Sequence, residues 1–271
     1  MEKNTKTILW NDIFRGFVIA LGAVAEIYAI ALLFDKKITI DFLVIVFSLA
    51  SAIYYFDFFN EDKKNINKRY LDFAWLIIVP ITFSIIFFIF IIIYGNIQSI
   101  FFAILLLLFG LLYDSVFKKL TRTIIGFKDF FVALGWNTML WLFILYYGYN
   151  LSLGYFIFLI FVFSRDFVNA SFCDLKDLKS DKQNKLLTIA ELLREKRAII
   201  LFQITNCLSF LMIVFFSYFK LIPIYSLSLI IPIITTSILL IYAQVKHKYS
   251  PYLVDIEYFL WPVSILIYKL I

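Results

Sequence analysis

Long apolar runs are the feature of this sequence that most constrains its fold. They approach about 20 residues, the length that an α-helix needs to cross the hydrocarbon core of a bilayer. In lipid each segment must satisfy its own backbone polar groups, so the runs should be helical. The sequence therefore predicts an all-α, polytopic membrane protein with nine transmembrane helices. The nine runs cover approximately residues 10–34, 39–59, 71–94, 98–117, 125–148, 152–172, 198–219, 221–244 and 251–270.

Composition excludes a water-soluble fold for this chain. Of its 271 residues, 63% are hydrophobic and 16% are charged, whereas soluble domains have about 45–50% apolar and about 25% charged residues. The net charge is +6, but the basic residues lie in short loops between apolar runs, which is typical of membrane proteins. We therefore expect a single transmembrane domain over residues 1–271, surrounded by membrane lipids, and no nucleic-acid partner.

The distribution of Lys and Arg predicts the topology. If the N-terminus is cytoplasmic and the number of spans is odd, 18 of these residues fall on the inner side and 4 on the outer side. Such an excess of Lys and Arg marks cytoplasmic loops. The same arrangement places the charged loops after the second and sixth helices in the cytoplasm, so a site built from these two helix ends is expected there.

Polar residues recur at helical spacing where these two helices end. The first set, spaced four residues apart, consists of Asp57, Glu61 and Asn65. The second set follows an i, i+3, i+7 pattern and consists of Asp174, Asp177 and Asp181. Residues at either spacing share one face of a helix. Two acidic faces are therefore expected to emerge on the same side of the membrane.

The negative charge of carboxylates this close to a membrane must be neutralised by positive charge. An Asp at the centre of a transmembrane helix costs about 2.5–3.5 kcal/mol, and less toward the interface. Divalent cations that carboxylate oxygens bind and that bridge to substrate phosphates supply the missing positive charge. The alternative is that both sets are solvated helix ends neutralised by neighbouring Lys residues. The matching spacing and topology of the two sets favour metal binding.

The two sets resemble the Asp-rich motifs of the UbiA superfamily of intramembrane prenyltransferases. Asp174-x-x-Asp177-x-x-x-Asp181 is similar to the family's D-x-x-D-x-x-x-D. Between the motifs, the chain is similar to the family in a tyrosine, in basic positions and in a Lys-Asn feature, here Tyr113, Lys118-Lys119-Leu120-Thr121-Arg122 and Gly126-Phe127-Lys128-Asp129. The first motif departs from the family's N-D-x-x-D-x-x-x-D, since this chain has Ile53-Tyr54-x-x-Asp57-x-x-x-Glu61. Two carboxylates remain in it.

The resemblance implies a fold, a cofactor and a substrate. Members have nine helices around a central cavity that opens to the cytoplasmic side. The implied cofactor is Mg²⁺, and the implied reaction transfers the prenyl group of an isoprenyl diphosphate to an aromatic or lipid acceptor. The implied catalytic and metal-binding residues are Asp57, Glu61, Asp174, Asp177 and Asp181. The residues expected to bind substrate are Asn65, Tyr113, Lys118, Lys119, Arg122, Lys128 and Asn169.

Three other functions stay open. A UbiA-type terpene cyclase would ionise the same donor without an acceptor, and a further relative transfers phosphoribose onto a polyprenyl phosphate. A transporter would use the inner carboxylates to bind a coupling cation. It should have helices broken by Gly or Pro in matching positions, whereas the chain has only 8 Gly and 5 Pro.

A few further polar residues lie within or beside the apolar runs. Glu26 is deep in the first helix, where an ionisable residue is a functional candidate. Arg165 is expected to balance Asp166. Asp255 and Glu257 are expected to be acids in the first turn of the ninth helix, at its positive end.

Overall fold

The computed structural model describes the backbone of residues 3–63, 70–246 and 251–271, and within these ranges every regular element is a helix. Side chains are described there except at residues 3–12, 61–63, 70–76, 179–180 and 251–254. The α-helices are α1 (Lys3–Leu33), α2 (Ile40–Lys63), α3 (Tyr70–Tyr94), α4 (Ile97–Leu111), α5 (Lys118–Leu120), α6 (Phe127–Tyr147), α7 (Leu153–Gln183), α8 (Ile189–Tyr218), α9 (Ile230–Lys246) and α10 (Pro251–Leu270). A π-helix (Tyr113–Phe117) precedes α5, and a 3₁₀-helix (Ile224–Leu229) precedes α9.

The prediction of an all-helical membrane protein is confirmed. In the described part of the chain, seven helices are long and apolar enough to cross a membrane. An eighth span results if α4 and the segment Tyr113–Leu120, which bend by 50° at their junction, are counted together. The position of α10 matches the ninth predicted run. The number nine itself stays a prediction.

Two helices differ from the predicted runs in ways that matter for the site. The fourth run was expected to be one helix, but it bends after Leu111 and continues as the π-helix. The sixth run was expected to end near residue 172, but α7 continues to Gln183. The apolar run marks only the part of a helix that lies in lipid. The polar residues that follow can remain helical in water.

The helices close into a ring around a central space. Each of α1, α2, α4, α6, α7, α8, α9 and α10 packs against the next, and α10 packs against α1. The helix α3 packs outside the ring against α2, and its isoleucines at 85, 89 and 92 are exposed, as lipid-facing residues should be. Large aromatic side chains such as Phe143, Phe158 and Trp261 are fully buried in the interior.

Backbone hydrogen bonds tie two loops together at the end of the bundle where α2 and α7 finish, here called the motif end. The amide of Gly126 donates to the carbonyl of Leu187 (2.7 Å), and the amide of Leu187 donates to the carbonyl of Thr121 (2.8 Å). Gly126 has a φ of 66°, a left-handed conformation that glycine adopts without strain. Thr188 then caps α8 by accepting a hydrogen bond from the amide of Glu191. The start of α6 is thereby held against α7 and α8.

Candidate active site

A polar cavity of approximately 160 Å³ lies inside the ring at the motif end. Side chains of α1, α2, α6, α7, α10 and the π-helix line it. Asp57 from the first motif and Asp174 and Asp177 from the second motif all contribute to this lining. The structure therefore brings together carboxylates that lie more than one hundred residues apart in the sequence. A site shared by the two motifs requires this arrangement.

An apolar cavity of approximately 350 Å³ adjoins the polar one between α2, α4 and α6. The two cavities share a wall formed by Tyr54, Asp57, Tyr113, Val132 and Trp136. The indole Nε1 of Trp136 donates a hydrogen bond to the hydroxyl of Tyr54 (2.7 Å), which fixes part of this wall. A ligand with a polar head and a long apolar tail could therefore occupy both cavities at once.

Lys128 faces Asp174 of the second motif, and Arg15 of α1 is a second cation in the lining of the polar cavity. The Nζ of Lys128 lies 2.5 Å from Oδ1 of Asp174, whose side chain is 2% exposed. Asp129, the next residue of α6, is also buried and lies beside Asp174. Burial raises the pKa of Asp181, which lies beyond the membrane-spanning part of α7, to about 6, while the nearby Lys128 opposes this shift. Several carboxyl groups thus share one ammonium group.

The remaining predicted site residues fall into three groups. Asn169 lines the polar cavity and Tyr113 lines both cavities. Lys118 forms an ion pair with Asp114 (3.1 Å), while Lys119 and Arg122 are exposed on the segment that follows the bend. These three basic residues are not among the described residues that line the cavity. The side chain of Glu61 and the whole of Asn65 lie outside the described residues.

A second buried charge cluster lies deeper in the bundle and corrects two expectations. Arg165 forms its direct ion pair with Glu257 and not with Asp166: its Nε and Nη2 donate to the two carboxylate oxygens of Glu257 at 2.8 and 2.7 Å. Asp166 instead lines the polar cavity, where its Oδ1 accepts a hydrogen bond from the hydroxyl of Tyr258 (2.9 Å) and its Oδ2 is buried without a partner among the described residues. Asp255 and Glu257 lie beyond the first turn of α10, which contains no acid, and they are 7% and 2% exposed, so the expectation of first-turn acids is wrong.

Sequence reasoning missed several residues of the polar cavity. Asp129 was part of the resemblance but was not expected to be in the site, and Asp255 and Tyr258 come from α10, far from both motifs. An acid next to the predicted phosphate-binding Lys128 was a signal for Asp129. No sequence pattern linked α10 to the motifs, because its contribution depends on the closure of the ring.

The residues present fit Mg²⁺. No group of three or more Asp, Glu, His or Cys side chains in the described part of the chain is close enough to form a complete site. However, Mg²⁺ usually binds one or two carboxylates and completes its octahedron with substrate phosphates and water. Oδ2 of Asp174 and Oδ2 of Asp181 are buried and have no hydrogen-bond partner. Such oxygens are suitable ligands for a cation.

No protein-family model matches the chain, and no curated protein sequence does. The structure is similar to that of a UbiA homologue from Aeropyrum pernix, with a TM-score of 0.66, 13% identity, and coverage of 93% of this chain and 98% of that one. It is also similar to a UbiA homologue from Archaeoglobus fulgidus bound to GPP and Mg²⁺, with a TM-score of 0.59, 12% identity, and coverage of 94% and 97%.

A third similar structure is that of a digeranylgeranylglyceryl phosphate synthase, with a TM-score of 0.56, 15% identity, and coverage of 100% of this chain and 97% of that one. In all three comparisons nearly the whole of both chains is matched, although few residues are identical. The resemblance stated from the acidic motifs therefore extends to the complete architecture, and this chain has the fold of the UbiA homologues.

Proposed function

We propose that the protein is a Mg²⁺-dependent intramembrane prenyltransferase that ionises a polyprenyl diphosphate and transfers the prenyl group to a small aromatic or lipid acceptor. One observation carries this proposal. Asp57 and Asp174, from the two acidic motifs, line one polar cavity that shares a wall with a larger apolar cavity. A diphosphate bound through a divalent cation suits the first cavity, and an isoprenoid chain suits the second.

The chain's own residues would bind the two ends of the donor differently. Asp57 and Glu61 would hold one Mg²⁺, and Asp174 and Asp177, with Asp181, would hold another. When bound, Mg²⁺ neutralises the diphosphate and stabilises it as a leaving group. Lys128, which is within reach of Asp174, is the cation best placed to contact a phosphate oxygen. Lys118, Lys119 and Arg122 could bind the diphosphate electrostatically as it enters the polar cavity.

Transfer then breaks one bond at C1 of the prenyl group and forms another. The bond from C1 to the diphosphate oxygen breaks, and its electron pair leaves with the diphosphate. An electron pair of the acceptor forms the new bond to C1, and the acceptor loses a proton. Tyr54, Tyr113 and Trp136 stand at the wall between the cavities, where their faces could stabilise the allylic cation. Asn169 would help to orient the groups in the polar cavity.

Two further observations support the proposal. The related structure from Archaeoglobus fulgidus contains GPP and Mg²⁺, and another is a digeranylgeranylglyceryl phosphate synthase. The excess of Lys and Arg on one side of the predicted topology supports a cytoplasmic N-terminus and a site at the cytoplasmic face.

The test uses the full-length protein in lipid nanodiscs. Labelled geranyl, farnesyl and geranylgeranyl diphosphates are incubated with Mg²⁺ and with phenol, quinol and lipid-alcohol acceptors. We expect a prenylated acceptor that disappears when the metal is omitted. Asp57→Ala and Asp174→Ala should each abolish turnover and leave a folded protein. Asp41→Ala is the control, because Asp41 lies at the opposite end of α2.

Two results would count against this function. Normal turnover in either motif variant, Asp57→Ala or Asp174→Ala, would refute the proposed site. A hydrocarbon or terpene alcohol formed from the donor alone, without any acceptor, would identify a terpene cyclase instead.

A further inference from the structure

Asp129 is a buried acid that neither acidic motif contains. It lies in the first turn of α6, its side chain is 1% exposed, and it lines the polar cavity together with Asp57 and Asp174. The loop bonds of Gly126 to Leu187 fix the position of this turn against α7 and α8. The placement of Asp129 in the site is therefore built into the fold.

The two oxygens of Asp129 have different surroundings. Oδ2 accepts a hydrogen bond from the backbone amide of Ile189, at the start of α8 (3.3 Å). Oδ1 is buried and has no hydrogen-bond partner. The same division occurs in Asp174, whose Oδ1 accepts from Lys128 and whose Oδ2 has no partner. Each carboxylate is thus oriented through one oxygen and leaves the other one available.

Asp129 and Asp174 lie close enough to interact directly. Two neighbouring buried carboxylates repel each other when both are ionised, and the single ammonium group of Lys128 compensates only one negative charge. A purely structural acceptor for the Ile189 amide would need no charge, since an Asn side chain offers the same oxygen. The presence of Asp rather than Asn at position 129 therefore requires another explanation.

From this geometry we infer that Asp129 is a metal ligand, which forms with Asp174 a carboxylate pair that holds one divalent cation against the donor's diphosphate. The inference rests on the proposed function and adds a ligand that lies outside both motifs. Two carboxylates, substrate phosphate oxygens and water complete the environment that Mg²⁺ prefers. The Ile189 amide and Lys128 act as the outer partners that orient the two ligands.

The test measures metal binding directly. Full-length protein in nanodiscs is titrated with Mn²⁺ in the presence of inorganic pyrophosphate, and bound Mn²⁺ is followed by electron paramagnetic resonance. Asp129→Asn keeps an acceptor for the Ile189 amide and removes the charge. We expect it to weaken Mn²⁺ binding at least about tenfold, as the loss of even an outer partner often does. Asp41→Asn, a matched change at the opposite end of the bundle, should bind as wild type does.

Thermal melting separates a ligand from a structural residue. Without metal, Asp129→Asn should melt at the wild-type temperature or above it, because the repulsion with Asp174 is gone. Its stabilisation by Mn²⁺ and pyrophosphate should be smaller than that of wild type. A lower metal-free melting temperature with undiminished stabilisation by Mn²⁺ would overturn the inference and leave Asp129 a structural acceptor.

The two proposals fail in different ways. If Asp129→Asn binds Mn²⁺ as wild type does while Asp174→Asn does not, the role of Asp129 is refuted and the proposed function stands. If wild type itself binds no Mn²⁺ with pyrophosphate, the proposed function fails, and the inference fails with it.

Discussion

The two buried charge clusters of this protein differ in how completely their polar atoms are paired. In the deeper cluster, Arg165 is bonded to both oxygens of Glu257 and donates to Asn206, whose amide in turn donates to Ser237. Thr236 and Trp261 also donate to Glu257. At the motif end, buried oxygens of Asp129, Asp174 and Asp181 have no partner.

This difference separates a structural role from a ligand-binding role. Asp166 lines the polar cavity and keeps a buried Oδ2 without a partner in the described part of the chain, so it belongs with the carboxylates of the motif end. Buried polar groups cost free energy unless they are paired, so the bonded group around Arg165 and Glu257 has nothing left to offer a ligand. It joins α7, α8, α9 and α10, and it holds the helix that supplies Asp255 and Tyr258 to the polar cavity. A cluster with unpaired oxygens is incomplete until something positive binds. Charge alone does not mark a site; unsatisfied charge does.

The largest effect on stability is expected where the pairing is complete. Arg165→Met leaves Glu257 buried without its cation, and breaking a buried ion pair in this way typically costs about 3–5 kcal/mol. We expect a large drop in the melting temperature in nanodiscs, with or without Mg²⁺. The double variant Arg165→Met/Glu257→Leu is the control, because removing both charges should recover much of the loss. A small effect of Arg165→Met would show that the pairing does not hold the helices together.

A smaller effect on stability is expected in the polar cavity. Asp174→Asn loses the ion pair with Lys128 but also relieves the repulsion from Asp129, so the two changes offset each other. We expect the metal-free free energy of unfolding to change by less than about 1 kcal/mol, below the median effect of a point mutation. Thermal melting without metal measures it. A loss as large as that of Arg165→Met would erase the distinction between the two clusters.

Sequence reasoning succeeded where the signal was local. The spacing of Asp174, Asp177 and Asp181 predicted one helical face, and α7 is helical through all three. The pattern depends only on the period of the helix, and helix ends on one side of a membrane must lie at similar depth. The shared placement of Asp57 and Asp174 followed from the same two facts.

Contacts between helices that are distant in the sequence could not be predicted, because they depend on how the helices close into a ring. Adjacent side chains of a helix do not face each other, so the spacing argued against a pair of Arg165 with Asp166. Glu257 lies 92 residues from Arg165, and nothing in the order of the residues identifies it as the partner. The bend after Leu111 falls inside an apolar run, so composition gives no sign of it. Asp129 follows Lys128 on the chain, but its proximity to Asp174 depends on how α6 packs against α7.

The apolar cavity is open in the same sense as the polar one, because nothing in the described part of the chain fills it. Here we expect the smallest effect on stability and a selective effect on the choice of donor. Gly135 lines this cavity, and a Cβ built there meets no atom within 4 Å. Gly135→Phe should therefore fill part of the proposed tail site without disturbing the bundle. Apolar pockets discriminate between chain lengths by about tenfold or more.

The variant should use geranyl diphosphate nearly as wild type does and geranylgeranyl diphosphate about tenfold less efficiently, as measured by kcat/KM. Gly135→Ala, which adds a single methyl group to the same position, should keep the wild-type preference and provides the matched control. An equal loss for both donors would mean that the substitution acts on the head-group site. No loss for either donor would place the isoprenoid chain outside this cavity, and the polar and apolar cavities would then no longer describe one binding site.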